Sequence, residues 1–99
     1  MTPDLRDVDP RELRVPPSRR FGADPAKLHR QIAKYGRSAA GMPRIWVYEA
    51  ADGVLVAYNG VTRATRIAKL DPGATVPIEV IGKLPVNFAS SPTIQDLLP

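Results

Sequence analysis

The sequence predicts an α+β fold in which a small mixed sheet packs with two main helices. The 99 residues are enough for one domain, and we assign the whole chain, 1–99, to it. Three runs are rich in β-branched and aromatic residues, as strands are, at 44–49, 54–58 and 75–81. Two segments repeat apolar residues at helical spacing, at 25–35 and 61–70. Eleven prolines and seven glycines predict short elements and much loop.

The N-terminal segment is predicted to be a loose lead-in followed by a short strand. Residues 1–11 are polar and include two prolines, which is typical of an unpaired terminus. Residues 12–15 have the composition of a strand, and Pro16 ends it because proline cannot donate to a ladder.

The first helix has clear signals at both ends. Asp24 is suited to the N-cap, Pro25 to the first helical position, and Gly36 to the stop. An apolar stripe is expected to be buried, formed by Leu28, Ile32 and Tyr35. A cationic stripe is expected to face water or a ligand, formed by Lys27, Arg30 and Lys34.

The second and third runs are predicted to form a β-hairpin. Residues 44–49 and 54–58 are joined by a short turn that contains Asp52 and Gly53. Because both runs are apolar at nearly every position, we expect strands that are covered on both faces, or helices against the sheet.

The C-terminal half continues with a helix, a strand and a short tail. Asn59 and Gly60 break the hairpin strand, and the helix that follows is expected to bury Val61, Ala64, Ile67 and Ala68, with Thr62, Arg66 and Lys69 on its other side. The strand at 75–81 contains Pro77, which predicts a sheet edge. Residues 93–98 are predicted to form one helical turn docked by its leucines.

Charge and composition restrict the classes of function. The net charge of +4 is uneven, with +5 in residues 1–44 and −1 in residues 45–99, and a basic half is a footprint for phosphate-bearing partners. The chain lacks cysteine and has one histidine, so a zinc site is not expected, and His29 is interpreted as a solvated helix residue. No run approaches membrane-spanning length and no export signal is visible; we expect a soluble, cytoplasmic protein with no membrane partner.

The junction between the hairpin and the second helix predicts an anion site. A helix N-terminus offers unpaired backbone N–H groups and a partial positive charge. Gly60 would let a ligand approach the backbone, and Arg63 in the first turn adds side-chain donors. The pattern Gly-x-x-Arg is short and therefore of low specificity. The alternative to an anion site is that the glycine only allows a tight turn and the arginine lies on a solvated face.

The order of these parts resembles the ParB/sulfiredoxin-like superfamily. This chain and the family have the same parts in the same order. These parts are a strand, a segment with proline and arginine, a helix ending in glycine, an apolar hairpin, a short motif (the box) that opens a helix, and a strand with Val-Pro-Ile. The strongest match is 59–70 followed by 75–77, and the likeness covers about residues 11–82, leaving a proline-rich tail at 83–99. The resemblance implies the family's α+β fold and a box that grips nucleotide phosphates, of CTP in ParB and of ATP in sulfiredoxins.

Carried over residue by residue, the resemblance implies roles for several positions. Gly60 and Arg63 match the box, and Arg20 matches the arginine before the first helix. Gly36 matches the glycine that ends that helix, and Pro43 a later proline.

Two positions depart from the family pattern. Val61 stands where sulfiredoxins have their catalytic cysteine, which excludes reduction of sulfinic acid because no thiolate is present. Val61 and Thr62 replace the Glu-Arg of ParB, which weakens the expectation of CTP recognition and hydrolysis. Without a counterpart of the ParB helix-turn-helix and dimerisation segments, we expect the chain to resemble the small stand-alone or toxin-terminal members called ParB-like nucleases.

Three hypotheses about function follow. The first is a module that binds phosphate or a nucleotide, with or without magnesium, through Asn59, Gly60, Val61, Thr62, Arg63, Arg20 and Arg66. The second is a nuclease-like enzyme whose contacts with the nucleic-acid backbone are made by Lys27, Arg30, Lys34 and Arg37. The alternative for these four residues is a solvated helix face without a binding role. The third is a protein-interaction module whose contact is the proline-rich tail, especially 84–99.

Catalytic residues for a nuclease are not evident in the sequence. Metal-assisted cleavage needs converging carboxylates, and the acids nearest the box are Glu49, Asp52 and Asp71. A metal-free route would use His29 as a base, with Arg63 stabilising charge. The aromatic residues of the hairpin are interpreted as core, with base stacking by Tyr58 as the functional alternative.

Overall fold

The computed structural model describes residues 2–99 and has the predicted α+β architecture, with a four-stranded mixed sheet and two α-helices. The main elements in chain order are β1 (Asp4–Val8), α1 (Pro25–Tyr35), β2 (Ile45–Glu49), β3 (Leu55–Asn59), α2 (Val61–Leu70) and β4 (Val76–Lys83). Single 3₁₀ turns lie at Pro10–Glu12, Pro17–Arg19 and Gln95–Leu97. Among the described residues, no helix has the length and apolar character needed to cross a membrane.

The strands are arranged in the order β1-β4-β2-β3. The hairpin of β2 and β3 is antiparallel as predicted, whereas β2 and β4 pair in parallel. Helix α2 therefore returns the chain from the β3 edge to the far side of β2. It covers one face of the sheet, where the fully buried side chains include Ile45, Val47, Ile67 and Ile78. Helix α1 packs mainly against α2, so the space between the two helices lies beside the end of the sheet.

The N-terminal prediction is wrong in two respects. Residues predicted as a loose lead-in form β1, which pairs antiparallel with β4 from Asp4 opposite Val80 to Val8 opposite Val76. Most of β1 is exposed, so its pairing is carried by the backbone and leaves no apolar alternation in the sequence. In place of the predicted strand at 12–15, the chain makes a 3₁₀ turn and then two isolated bridges at Arg14, parallel to Val56 and antiparallel to Thr93, with Leu13 and Val15 buried on either side.

Because β1 covers the side of β4, the edge position predicted from Pro77 is also wrong. Pro77 is the second residue of β4, opposite Asp7 of β1, and β4 lies inside the sheet. A proline removes one backbone donor, and near the start of a strand this costs the ladder little.

Of the two arrangements expected for the hairpin, the structure has a sheet with helices against one face; the other face is partly open, although Val56 is buried there. Ile45 and Val47 point into the core, while Trp46 is 45% exposed and Tyr58 61% exposed on the other face. Trp46 and Tyr58 are therefore not core residues, and Tyr48 is only half-buried.

The tail is packed onto the domain, and its predicted helical turn is present. Ile94 is fully buried, Leu97 and Leu98 pack against the core, and the N–H of Ile94 donates to the carbonyl of Leu13. Asp52 in the hairpin turn holds the preceding loop, since its Oδ2 accepts from the N–H groups of Phe88 at 3.0 Å and Ala89 at 2.8 Å.

We expect the attachment of this loop to Asp52 to weaken in acid. Desolvation raises the pKa of Asp52, but hydrogen bonds from the N–H groups of Ala89 and Phe88 outweigh it and hold the pKa below its ordinary value. A carboxyl with a lowered folded-state pKa stabilises the fold above the unfolded pKa of about 4, and this stabilisation is lost as the pH falls through the folded pKa. The amide resonances of Phe88 and Ala89 should shift together below about pH 4.

The matched control for this acid transition is Asp52→Asn, which keeps an acceptor but does not titrate in this range. In this variant the two amides should lose the transition. A transition of unchanged midpoint and amplitude in the variant would show that another group controls the loop.

Candidate functional site

A cationic cleft of about 400 Å³ lies between α1 and the turn from β3 into α2. It is lined by Arg19, Lys27, Arg30, Gln31, Lys34, Tyr35, Asn59, Gly60, Val61, Thr62 and Arg63. Five of these side chains are cationic, and none of the described lining residues carries a carboxylate. The structure thus brings together two sets of residues, the α1 stripe and the box, that the sequence suggested for separate roles.

The cationic wall of the cleft comes from helix α1. Asp24 and Pro25 start the helix and Gly36 ends it with a positive φ of 59°, as predicted. Leu28 is buried against the rest of the domain, while Lys27, Arg30 and Lys34 are exposed on the other side and line the cleft. The predicted burial of Tyr35 is wrong, because the residue is 47% exposed and lines the cleft. The cationic groups of Lys34 and Arg66 lie 5.2 Å and 5.3 Å from the centroid of its ring.

The opposite wall is the start of helix α2. Gly60 is the N-cap, with φ 104° and ψ 20°, and no side chain of the described residues caps the helix. The N–H groups of the first turn have no intrahelical acceptor, and the helix dipole adds positive potential at this end. An anion in the cleft would meet these N–H groups at Val61 and Thr62, both of which line it.

Gly60 is required here by two independent constraints. Its φ lies in the left-handed region that favours glycine. An ideal Cβ at position 60 would also lie 2.8 Å from Nη2 of Arg63 and 3.0 Å from Cγ1 of Ile45. The guanidinium of Arg63 therefore rests against the backbone of the turn, and the absent side chain leaves room for it.

Arg63 is incompletely satisfied within the protein. Its Nη2 donates to the carbonyl of Arg44 across 3.4 Å, a long hydrogen bond, and its Nε is buried without a partner among the described residues. The Nε of Arg19 and the Oε1 of Gln31, from two other lining residues, are in the same condition. Burial lowers the pKa of Arg63, although an arginine stays charged at neutral pH. A ligand with acceptor oxygens would satisfy the two unpaired Nε–H donors, and a ligand hydroxyl or amino group would donate to the oxygen of Gln31.

The arginine that reaches the cleft from the N-terminal segment is Arg19, which the sequence analysis missed. Arg20 was expected there, but it is exposed, does not line the cleft, and lies over the ring of Phe21 at 4.9 Å. The 3₁₀ turn Pro17–Arg19 decides which of the two adjacent arginines faces inward. The paired prolines before it indicate a turn, yet they do not say which side chain it directs to the cleft.

Arg66 is a buried anchor and does not lie on a solvated face. It is only 2% exposed, and its Nη1 donates to the carbonyls of Gly36 at 2.8 Å and Ser38 at 2.7 Å. It lines a smaller cavity behind Tyr35 and not the cationic cleft. Helical periodicity placed it opposite the apolar stripe of α2, and the packing of α1 against α2 covers that position. Arg37 is also outside the cleft, with its Nη2 3.5 Å from Oδ1 of Asp71.

The candidate catalytic residues are dispersed. His29 is exposed and does not line the cleft, so the structure does not bring it to Arg63. Asp52 holds the loop at 88–89, Asp71 ends α2 beside Arg37, and Glu49 lies 3.8 Å from Arg6. Within residues 2–99, no group of three or more His, Cys, Asp and Glu side chains is arranged to hold a metal ion.

A second concavity, the aromatic groove, adjoins the cleft on the uncovered face of the sheet. Its volume is about 580 Å³, and its lining includes Tyr48, Tyr58, Leu84 and Phe88. The rings of Tyr48 and Tyr58 meet edge to face, with centroids 5.5 Å apart. Arg19 and Asn59 line both concavities, so the groove and the cationic cleft form one continuous surface.

Comparison with models of protein families and with curated proteins finds no match to this chain.

Proposed function

We propose that this protein binds a nucleotide through its phosphates, in the cationic cleft. The observation that carries the proposal is the convergence of five cationic side chains on one concavity with no carboxylate among its described lining residues. Like charges brought together without counter-ions repel one another, and a polyanionic ligand relieves that repulsion.

The cations come from three separate parts of the chain and surround the start of α2. Arg19 is the last residue of the 3₁₀ turn Pro17–Arg19. The side chains of Lys27, Arg30 and Lys34 come from α1, and that of Arg63 from the first turn of α2. A phosphate placed at the helix N-terminus would accept from backbone N–H groups and from Arg63 together, and the α1 cations would meet phosphates further along.

The size of the cleft suits a ligand larger than a single phosphate. A volume of about 400 Å³ falls within the range of small-molecule sites. The amides of Gln31 and Asn59 and the ring of Tyr35 also line it, and these groups can contact a sugar or a base. The resemblance to ParB-like domains supports the same location, since the matched residues Gly60 and Arg63 both line the cleft. Nucleotides are cytoplasmic ligands, and we propose a cytoplasmic location on that ground.

Replacing Arg63 with alanine should weaken nucleotide binding at least about tenfold. A hydrogen bond to a charged group contributes about 1.5–3 kcal/mol, which corresponds to a loss of about ten- to a hundredfold in affinity. The measurement is a titration with CTP and ATP, each with and without magnesium, in which binding is detected by calorimetry and by the shifts of amide resonances. At a nucleotide concentration near the wild-type Kd, the shifts should centre on residues 60–66 in the wild type and be strongly reduced in Arg63→Ala.

The matched control is Arg20→Ala, which removes the same charge from an exposed position outside the cleft. It should bind within about twofold of the wild type, since the exposed side chain does not line the cleft and its charge is screened by solvent and salt. Equal losses in the two variants would indicate non-specific attraction by net charge and contradict the proposal. The absence of shifts at 60–66 at saturating nucleotide would also contradict it.

A further inference from the structure

We infer that the ligand can extend beyond one nucleotide, and that the aromatic groove is where bases of a single-stranded nucleic acid stack while its phosphates follow the cationic cleft. This inference rests on the proposed function, because the cleft must bind phosphate for the groove to be used in this way. It specifies the ligand class as an oligonucleotide.

The aromatic side chains of the groove are placed to receive bases. Tyr58 is 61% exposed, although its neighbour Ala57 is buried, and it lies at the end of β3, one residue before Asn59. Tyr48 supports it edge to face at 5.5 Å, which fixes the orientation of an otherwise free ring. Phe88 lines the same groove from the tail segment. An exposed tyrosine held by a second tyrosine offers a flat face that any base can stack on.

A further aromatic residue lies on the same face. Trp46, the only tryptophan of the chain, is 45% exposed and two residues from Tyr48 on β2, so both side chains leave the sheet on the side opposite to α2. Exposed aromatic residues of this size increase the apolar surface in contact with water. Trp46 does not line the aromatic groove itself, but together with Tyr58 it gives this face of the sheet two large exposed aromatic residues, which indicates a surface that contacts a ligand.

Charge selects nucleic acid over an apolar peptide as the occupant. Arg19 is the only charged residue among the described residues that line the groove, and it also lines the cationic cleft. Asn59 is shared by the two concavities as well. A chain of phosphates in the cleft can therefore continue past Arg19 with its bases turned towards Tyr58. Aromatic platforms beside a cationic channel are the combination that binds single strands, whereas the bases of a duplex are not free to stack.

The test compares three ligands and three proteins. The ligands are hexathymidylate, an abasic deoxyribose-phosphate oligomer of the same length, and CTP; the proteins are the wild type, Tyr58→Ala and Phe21→Ala. Binding of the fluorescein-labelled oligomers is measured by anisotropy, and binding of CTP by calorimetry. Phe21→Ala is the matched control, since Phe21 is 82% exposed and lines neither concavity.

The wild type should bind hexathymidylate at least about fivefold more tightly than the abasic oligomer, because stacking on aromatic side chains strengthens binding base by base. Tyr58→Ala should lose that advantage and keep its affinity for CTP, and Phe21→Ala should behave as the wild type. Removal of an exposed ring should leave the fold intact, which the unchanged CTP affinity also checks.

Equal affinity for the two oligomers, or an unchanged advantage in Tyr58→Ala, would overturn the inference. Binding of CTP without binding of hexathymidylate would overturn it too, while the proposed nucleotide site would stand. If neither CTP nor an oligomer binds, both the nucleotide site and the stacking surface are rejected.

Discussion

Replacing Arg66 with alanine is expected to lower the free energy of unfolding by about 3 kcal/mol, a large loss for a domain of this size. Arg66 is buried, and its Nη1 donates to the carbonyls of Gly36 and Ser38, which lie just beyond the end of α1. Without the guanidinium these carbonyls lose charged donors, and the aliphatic part of the side chain no longer fills the space behind Tyr35. The measurement is equilibrium unfolding in urea.

Arg37→Ala is the control, because it removes the same functional group from an exposed side chain. The side chain of Arg37 is 73% exposed, and its contact with Asp71 is 3.5 Å long. An exposed ion pair of this kind contributes at most about 1 kcal/mol. A similar small loss in both variants would show that Arg66 does not hold the end of α1.

Because this anchor positions the end of α1, a second effect is expected at the cleft. The segment held by Arg66 follows Lys34 and Tyr35 directly, and both line the cleft. Arg66→Ala should therefore weaken nucleotide binding even though Arg66 does not line the cleft. In the Arg66→Ala variant, native-state amide exchange should show lower protection in α1 than in α2.

Gly60→Ala is expected to be as damaging as Arg66→Ala, with a loss of about 3 kcal/mol in the free energy of unfolding. A left-handed conformation costs a residue with a Cβ about 1–2 kcal/mol. The added methyl group would also collide with Ile45, which is fully buried, and with the guanidinium of Arg63. The cost of such overpacking is about 1–3 kcal/mol. The end of the arginine can move aside more easily than the core residue.

Gly73→Ala separates the two contributions. Gly73 has a φ of 92°, similar to the 104° of Gly60, but a Cβ there would meet no atom within 4 Å. It should lose only the conformational cost, about 1–2 kcal/mol. Gly60→Ala should in addition lose nucleotide affinity because Arg63 is displaced. Equal destabilisation of the two variants, together with full binding by Gly60→Ala, would contradict the crowding described here.

The local elements were largely predictable from the sequence. Helix α1 begins and ends at the residues expected from Pro25 and Gly36, and α2 follows Gly60 as predicted. The hairpin of β2 and β3 is present with its turn at 50–53. Signals of this kind depend on the conformational preferences of a few neighbouring residues, such as the fixed φ of proline and the freedom of glycine. Such signals can be recognised in a single sequence even when the rest of the fold is unknown.

The composition of the cleft was predictable in part. The cationic stripe of α1 and the Gly60–Arg63 turn were both recognisable, but nothing in their sequence showed that the two face each other across one cleft. Arg19 and Arg20 are identical in type and adjacent, and only the 3₁₀ turn that ends at Arg19 decides that Arg19 lines the cleft. The two arginines differ in the direction in which the backbone orients their side chains, and not in chemistry.

Other features were decided by tertiary structure alone. Strand β1 is exposed and polar, and it exists because β4 offers backbone partners, which leave no pattern in the side chains. That pairing also places Pro77 inside the sheet. Arg66 is buried because α1 covers it, and Tyr58 is exposed because no helix covers the outer face of the hairpin. The sequence by itself determined the elements and their charges, since these depend on near neighbours. Their long-range packing decided which residues face solvent, the core or the cleft.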